Sequence, residues 1–578
     1  MRLHSRNISQ KSKSNRLTVL SLFLGLLFVA LIGRLFFVQI VAHDYYKALA
    51  DDQQLLTVES SPYRGEILSR DHTNQGDGVT YVLASNKTFY EIYLNPMQVT
   101  RPINTAESLS QILGTDYQTM LDRAKKENDP YEPVVSRATE EQYQALKATG
   151  IPGIYGREHI WRYYPDSEIG SQVLGFLGIE ENKRIGKYGI EGYWDAELAG
   201  ASEEETATRD ARGTVLPRLE DTSVISRDGS DLVLTIDRTA EYEVCSMLKK
   251  GVEKYAADKG SVIVMESKTG RILVMCNYPA FDPNEYQLVQ EVANFNNDAV
   301  FESYEPGSVF KPIAMGIAID REAVTPATTY EDTGEVIIDD KPIHNFDSLA
   351  HGKKTMTQVL QESLNTGVIF ATKTVPNRVY YEYVKNFGFG EKTGIEIAQE
   401  SAGNLGKLET AKDIYKATTS FGQGLTVTPL QMIAGVNVFA NDGVLIRPYI
   451  VEEIRKPDGE RIVTKPQNVR RVVTSDTART ITAMLIKVAE EGYDHKATIP
   501  GYYVTGKTGT AQIAERGSYG SKTNHTFVGF APATDAKFSI IIKLNNVKNV
   551  PFASDSTAPL FNAMARFLLQ YYRIPPTR

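Results

Sequence analysis

The sequence predicts an α+β protein in three parts: one amino-terminal membrane-spanning helix, an elongated mixed pedestal, and a carboxy-terminal domain whose antiparallel sheet is flanked by helices. Three observations predict it. An apolar run, LTVLSLFLGLLFVALIGRL, fills residues 17–35 and is charged only at Arg34; this is about the length a helix needs to cross a bilayer. At Asp231 the chain changes from short, turn-rich polar segments to long apolar strands and helices. Beyond that point strand-like segments stand at both ends with helix-like segments between them, an order that separates helices from an antiparallel sheet.

Residues 1–16, MRLHSRNISQKSKSNR, carry Arg2, Arg6, Lys11, Lys13 and Arg16 and no acid. The basic side of a span stays in the cytoplasm, so everything after residue 40 is expected outside the cell membrane. The apolar run is long for a cleaved signal peptide and no A-x-A-like site follows it. An uncleaved anchor over residues 17–40 is therefore expected. Arg34 can snorkel to the outer surface, and FFVQIV (residues 36–41) continues the helix out of the bilayer.

Residues 41–230 form the pedestal. SSPYRGEILSRD reads as a loop entering a strand, while REHIWRYYPDSEIGSQVLGFLG and YGIEGYWDAELAG read as loops with short helices. SEEETATRDARG (residues 202–213) reads as a solvated loop. Residues 231–578 form the second domain. DLVLTID is a strand, RTAEYEVCSMLKKGVEKYAADK a helix, and GSVIVMES and RILVMCNY a hairpin about a KTG turn. TPLQMIAGVNVFAN and TARTITAMLIKVAEEG follow as helices. YYVTGKTGTAQIA, NHTFVGFAPA and KFSIIIKLNNV alternate or run apolar like neighbouring strands, and STAPLFNAMARFLLQYY closes as an amphipathic helix.

Composition removes several function classes. The 578 residues are 42% hydrophobic and 23% charged, ordinary for globular protein, and the net charge of −8 argues against a nucleic-acid partner. Cys245 and Cys276, the two cysteines, read as small buried apolar residues. No C-x-x-C or histidine cluster suggests a metal, and no cofactor is expected. His525 reads as pairing locally on its strand.

The stretch YEPGSVFKPIAMGIAID, residues 304–320, carries the chemistry. Pro306-Gly307 signals a turn, and the almost wholly apolar run after it belongs to a buried helix. Ser308 thus stands at the positive end of a helix, where developing negative charge is favoured. Lys311, at i+3, shares its face. Pro312 has no N–H for the Ser308 carbonyl, so the first turn is unusual. Burial lowers a lysine pKa, and a neutral lysine can take the proton of a neighbouring hydroxyl. A capping serine with a snorkelling lysine explains the same letters, and average composition yields about two S-x-x-K matches by chance in such a chain. Ser246 and Lys249 supply the other one.

Acyl transfer also needs a proton path, a substrate grip and oxyanion donors. QESLNTG (residues 361–367) offers Ser363 as a relay and Asn365 as an amide binder. K-T-G begins at Lys268, Lys392 and Lys507. The first lies in a hairpin turn and the second in a glycine-rich loop, where solvated lysines suffice. Lys507 opens a strand that would aim Lys507, Thr508 and Thr510 at a carboxylate, with Gly509 admitting close approach of a substrate.

The order S-x-x-K, S-x-N, K-T-G-T resembles that of penicillin-binding proteins and related β-lactamases. The whole chain resembles the class B penicillin-binding proteins, transpeptidases with a single membrane anchor, through YEPGSVFKP, RGEILSRD, YGIEGYWDAELAG, FGQGLTVTPLQ and KTGTAQ. RGEILSRDHTNQGDG departs from that pattern by extra residues before the glycine. The resemblance implies a transpeptidase domain of the penicillin-binding and serine β-lactamase type on a dimerisation-type pedestal. It implies that Ser308 attacks the penultimate D-alanine carbonyl of a peptidoglycan stem peptide, with Lys311 as base. Ser363 and Lys507 would assist proton transfer to the leaving amine. Asn365 would bind the substrate amide, and Thr508 and Thr510 the carboxylate. The backbone N–H groups of Ser308 and Thr510 would hold the oxyanion. β-Lactams would mimic D-Ala-D-Ala, and anchor and pedestal would meet a membrane glycan polymerase and division or elongation proteins. FGFGEKTGIEI and FGQGLTVTPLQ look more like the division-type enzymes. No glycosyltransferase activity and no appended wall-binding module are expected. A D,D-carboxypeptidase or β-lactamase-type hydrolase, or a non-catalytic β-lactam sensor or scaffold, are the alternatives.

Overall fold

In a computed structural model, the structure describes residues 11–43, 55–59, 62–72, 79–180, 183–201, 204–209, 215–216, 228–515 and 518–578. They divide into two compact units. The first comprises residues 1–62 and 201–227, the second residues 63–200 and 228–578.

In the first unit, Lys11–Phe36 is an α-helix that continues through a π turn, Phe37–Val41. The stretch Thr18–Val41 is long and apolar enough to span a membrane, and among the described residues its leucines and phenylalanines are exposed. The other described strands of this unit form a small sheet in which Leu55–Glu59 pairs antiparallel with Glu204–Arg209, and that strand with Val215–Leu216. This corrects the loop expected over residues 202–213. A ladder partner some 150 residues away supplies the hydrogen bonds that no local pattern announces. The expected cytoplasmic tail lies outside the described residues up to residue 10, as do the inserted residues 73–78.

In the second unit, a seven-stranded sheet joins strands of residues 67–163 with strands beyond Asp231. Asp231–Asp237 lies between Ile67–Arg70, to which it is parallel, and Val451–Arg455, to which it is antiparallel. Ile154–Tyr163 pairs with the long strand Tyr81–Leu94 over its whole length. REHIWRY, expected in a loop, is therefore strand, because Tyr81–Leu94 offers it an uninterrupted edge. The short helices Ser171–Leu174, Gly189–Tyr193 and Asp195–Ala199 follow as expected.

The second sheet has five antiparallel strands in the order Ile272–Tyr278, Lys259–Glu266, Phe538–Asn545, Ser518–Ala531, Lys507–Glu515. Its central strands are apolar on both faces. Ile263 and Met265 enter one core while Val262 and Val264 enter the other, as the two-residue period of a strand requires. Helices Lys311–Asp320, Pro429–Ala440 and Ser475–Glu491 cover the first face. Helices Arg238–Lys254 and Thr557–Tyr571 cover the second. The sheet is thereby buried between helical layers, except at the outer edge of Lys507–Glu515.

The cysteine expectation is also corrected. Cys245 on helix Arg238–Lys254 and Cys276 on strand Ile272–Tyr278 form a disulfide with Cα atoms 5.8 Å apart. The helix packs directly on that strand, which brings the two within bridging range. Beside them Glu241 is buried, with one oxygen accepting from the Met275 N–H at 2.9 Å and the other unpartnered among the described residues. Burial pushes its carboxyl up from 4.5 to about 8. Below the first value folded and unfolded chains are both protonated there and no penalty arises. Between the two values the unfolded chain releases a proton that the folded chain keeps, so stability falls as pH rises, and the fall levels off above the second. Glu241→Gln removes this slope. Thermal unfolding is expected to show the variant a few degrees more stable than wild type near about pH 9 and nearly equal near about pH 5. Equal pH slopes in the two proteins would contradict this.

Candidate active site

Gly307–Phe310 is a 3-10 turn that runs directly into the α-helix Lys311–Asp320. The sequence explains the break. Pro312 cannot donate to the Ser308 carbonyl, and the Lys311 N–H takes that carbonyl instead, closing an i to i+3 bond. In a 3-10 turn residues i and i+3 eclipse, which sets Lys311 on the same face of the turn as half-buried Ser308. Positive φ at Gly307 (59°) starts the turn.

Two glycine contacts clamp this turn. A Cβ on Gly422 would lie 2.1 Å from the Gly307 carbonyl oxygen, and the Gly307 N–H donates to the Gly422 carbonyl at 3.0 Å. FGQG, whose role the sequence left open, is thus the wall against which the nucleophile turn is pressed. On the other side a Cβ on Gly509 would lie 2.9 Å from the Pro306 carbonyl oxygen and 3.0 Å from Val309. The close approach that Gly509 permits is that of the strand to the turn carrying Ser308.

Lys311 is fully buried. Its amine donates to the Ser363 carbonyl and, at 3.2 Å, to the Ser363 hydroxyl. Ser363 offers both oxygens because its φ is 57°, a left-handed conformation that costs a non-glycine residue energy and persists only where surroundings impose it. Those surroundings are Leu364, buried and bonded through its N–H to Val359, and helix Asn365–Thr372. That helix is pinned in turn by Thr366, which donates to buried Asp332 at 2.6 Å. Burial, then the nearby Lys507 ammonium, hold the Lys311 amine well below the ordinary lysine range.

Asn365 opens its helix and donates Nδ2 to the His344 carbonyl at 2.9 Å, which leaves Oδ1 as the atom able to accept an N–H. Lys507 is the first residue of the edge strand and is 2% exposed. Lys268 and Lys392 are exposed, in a turn and a loop. The Thr510 hydroxyl accepts from the Ala553 N–H at 3.0 Å and keeps its own proton to donate. Thr508 differs from its expected role. Its hydroxyl donates to Asp494 Oδ1 at 2.5 Å, so its proton is committed inside the protein and Thr510 is the threonine with one to offer. His525 is buried, bonded to Ser556 at 2.8 Å and to Thr523 at 3.2 Å, and burial lowers its pKa to about 4; it therefore buttresses the sheet as a neutral ring.

Sequence reasoning missed Asp494, Asp332 and Gly422. Asp494 is an acid in a polar turn and Asp332 ends a short strand beside Glu331, neither with a spacing signal, and the doublet in FGQG was the one available hint of close packing. Phe346 was missed too. It meets Tyr493 and Phe552 edge-on, ring centroids 6.1 and 6.2 Å apart, which sets an exposed aromatic rim beside segments carrying Asn365, Asp494 and Thr510. A cavity of about 410 Å³ elsewhere, lined by Arg70, His72, Asp237, Arg271, Glu452 and Tyr572 among others, includes none of these residues. Its Lys537 is exposed and paired with Asp535 at 2.6 Å, its Thr235 hydroxyl donates to the Ile272 carbonyl at 2.6 Å, and its arginines are paired with Glu452 and Glu453.

The arrangement sets together a half-buried hydroxyl, a desolvated amine, a second hydroxyl bonded to that amine, and a buried lysine on the outermost strand of the sheet. It suits acyl transfer through a covalent ester. Residues 260–566 match the family described as penicillin binding protein transpeptidase domain, and residues 59–234 the penicillin-binding protein dimerisation domain. Stage V sporulation protein D of Bacillus subtilis is 32% identical over 579 residues, covering 99% of this chain and 88% of that one. Peptidoglycan D,D-transpeptidase FtsI of Escherichia coli is 29% identical over 440 residues, 75% of this chain and 71% of that one. Among solved structures, penicillin binding protein 3 of Mycobacterium tuberculosis superposes with a TM-score of 0.63 at 30% identity, covering 73% of this chain and 92% of that one. It has also been solved with aztreonam and with ampicillin.

Proposed function

The chain belongs to the class B penicillin-binding transpeptidases, and from that premise we propose that it is a membrane-anchored peptidoglycan D,D-transpeptidase with Ser308 as nucleophile. Ser308 Oγ attacks the carbonyl carbon of the penultimate D-alanine of a stem peptide while its proton passes to Lys311 Nζ. Backbone N–H groups of Ser308 and Thr510 stabilise the oxyanion. Collapse of the tetrahedral species breaks the D-Ala-D-Ala amide, and Ser363 with Lys507 delivers a proton to the departing amine. Asn365 Oδ1 accepts from a substrate amide. Lys507 and Thr510 hold the terminal carboxylate. An amine of a second stem peptide then displaces Ser308 and forms the cross-link, and β-lactams stop the cycle at the ester.

The observation that carries this reading is Lys311: a lysine with no exposed surface, one 3-10 turn from Ser308, bonded to both oxygens of Ser363 and depressed by burial and Lys507. Such a group has no structural advantage over an apolar residue and suits a base that is neutral at physiological pH.

Residues 1–16 form the cytoplasmic tail, 17–40 the anchor, 41–230 the pedestal and 231–578 the catalytic domain, which works on the outer face. The basic residues preceding the apolar helix support that orientation. Anchor and pedestal meet a membrane glycan polymerase and division or elongation proteins.

The test supplies the full-length protein, in detergent micelles, with a peptide ending in D-Ala-D-Ala and an excess of a second D-amino acid. Release of D-alanine with exchange of the new amine into the peptide is expected. Free acid alone would indicate a hydrolase. Turnover of neither kind, with a penicillin bound reversibly, would leave a scaffold.

A further inference from the structure

Asp494 lies in the turn between helix Ser475–Glu491 and the 3-10 turn His495–Ala497, and it is fully buried. Its carboxylate grips the head of the edge strand three ways. Oδ2 accepts from the Thr508 N–H at 3.0 Å, Oδ1 accepts from the Thr508 hydroxyl at 2.5 Å, and Oδ2 stands 3.6 Å from Lys507 Nζ. Lys507 in turn donates to the Thr508 carbonyl at 3.1 Å.

Charge balance gives this contact a consequence. Lys311, Lys507 and Asp494 are all at most 2% exposed, and the two amines are close enough for one ammonium to disfavour the other. A buried site cannot hold two ammonium ions against one carboxylate without a large desolvation cost. One lysine must be neutral, and the chemistry requires that it be Lys311. Resting on the transpeptidase reading above, we propose that Asp494 is a positioning residue that assigns the single positive charge of the buried lysine pair to Lys507, leaving Lys311 as the free amine. It does so by placing its negative charge beside one lysine only, and it fixes that lysine by holding the adjoining Thr508 through both N–H and O–H.

The other ionisable groups on elements packed around this turn include Tyr493, His495, Lys496, Glu490, Glu491, Asp555, Arg566 and Tyr571, with Lys487 beside Glu491 and Arg479 beside Asp476. Lys496 is paired with Asp555 and Glu490 with Arg578. Glu491 accepts from Gln361 at 2.9 Å, the His495 ring faces the Gly492 carbonyl, and Arg566 is exposed and bonded to Asn562. None of these contacts reaches Lys311 or Lys507.

The experiment measures the rate of acylation of the full-length protein by a fluorescent penicillin across pH, for wild type and Asp494→Asn, with Asp494→Glu as the conservative variant. Asparagine keeps an acceptor for the Thr508 N–H and loses the charge. Wild type is expected to show a bell, because acylation needs Lys311 neutral and Lys507 charged. In Asp494→Asn the alkaline limb should move down by about one pH unit or more, since Lys507 loses the carboxylate that retained its proton. The maximum should fall about tenfold as the remaining proton distributes over both lysines. Asp494→Glu should restore the limb at least partly. A merely structural role would scale the curve without moving its limb. An unmoved alkaline limb in a folded Asp494→Asn protein overturns this inference and leaves the transpeptidase reading intact. A wild-type protein that takes no label at any pH overturns the transpeptidase reading itself.

Discussion

Full-length protein carrying Ser308→Ala is expected to take no covalent label from a fluorescent penicillin, acylation being slowed by at least about 10⁴-fold, the scale seen when a serine nucleophile is removed. Two serines belong to this site, and their placement separates their roles. Ser363 is held in a left-handed conformation with its carbonyl and hydroxyl both accepting from Lys311, an arrangement that spends its lone pairs on the base. Ser308 heads the 3-10 turn at the amino-terminal end of a buried helix, where the aligned peptide dipoles favour the charge that forms on attack. Its turn is wedged between Gly422 and Gly509, so the backbone N–H groups around it are already placed. Alanine keeps all of this and removes only the attacking oxygen. The measurement is gel fluorescence after denaturation, which retains only covalent adducts. A band of wild-type intensity from the alanine protein would transfer the nucleophile to another residue.

Replacing Lys311 by methionine is expected to slow acylation by at least about 10³-fold, the upper range of what a positioned general base contributes, while the midpoint of thermal unfolding stays within about 3 °C of wild type. Methionine keeps most of the apolar stem that packs in the helix core. A lysine held below its ordinary range costs stability at neutral pH, because the unfolded chain gains a proton that the folded chain refuses. That cost is lost as pH rises toward 10.5, where the unfolded lysine also becomes neutral. Removing the amine relieves it, which offsets the bond lost from the Ser363 carbonyl. In the wild type, acylation should fall as pH drops through the depressed Lys311 value, since protonation occupies the lone pair that accepts the Ser308 proton. Rapid acylation by the methionine protein would place the base elsewhere.

Much of the site was legible because its parts are short and local. Pro312 leaves the Ser308 carbonyl without its α-helical donor whatever surrounds it, which makes the first turn unusual, and the apolar run behind it belongs in a core. The same holds for the anchor, whose composition matches one solvent, and for the central strands of the catalytic sheet. The three K-T-G segments also differ visibly in the sequence, since Lys268 falls in a hairpin turn and Lys392 in a glycine-rich loop while Lys507 itself opens a strand.

The sequence by itself determined the order of elements, the apolar anchor, and the residue types that acyl transfer needs. Only the tertiary structure decided which of them meet. Cys245 and Cys276 bond because a helix lies on a strand, and Ile154–Tyr163 is a strand because Tyr81–Leu94 lends it an edge. Thr508 surrenders its proton, and Lys507 gains a counter-charge, because a turn ending a different helix delivers Asp494 to them. Propensity and spacing act over a few residues along the chain. Charge, disulfide bonding and hydrogen-bond commitment act across a few ångströms of space, and no local pattern records which distant residue will stand there.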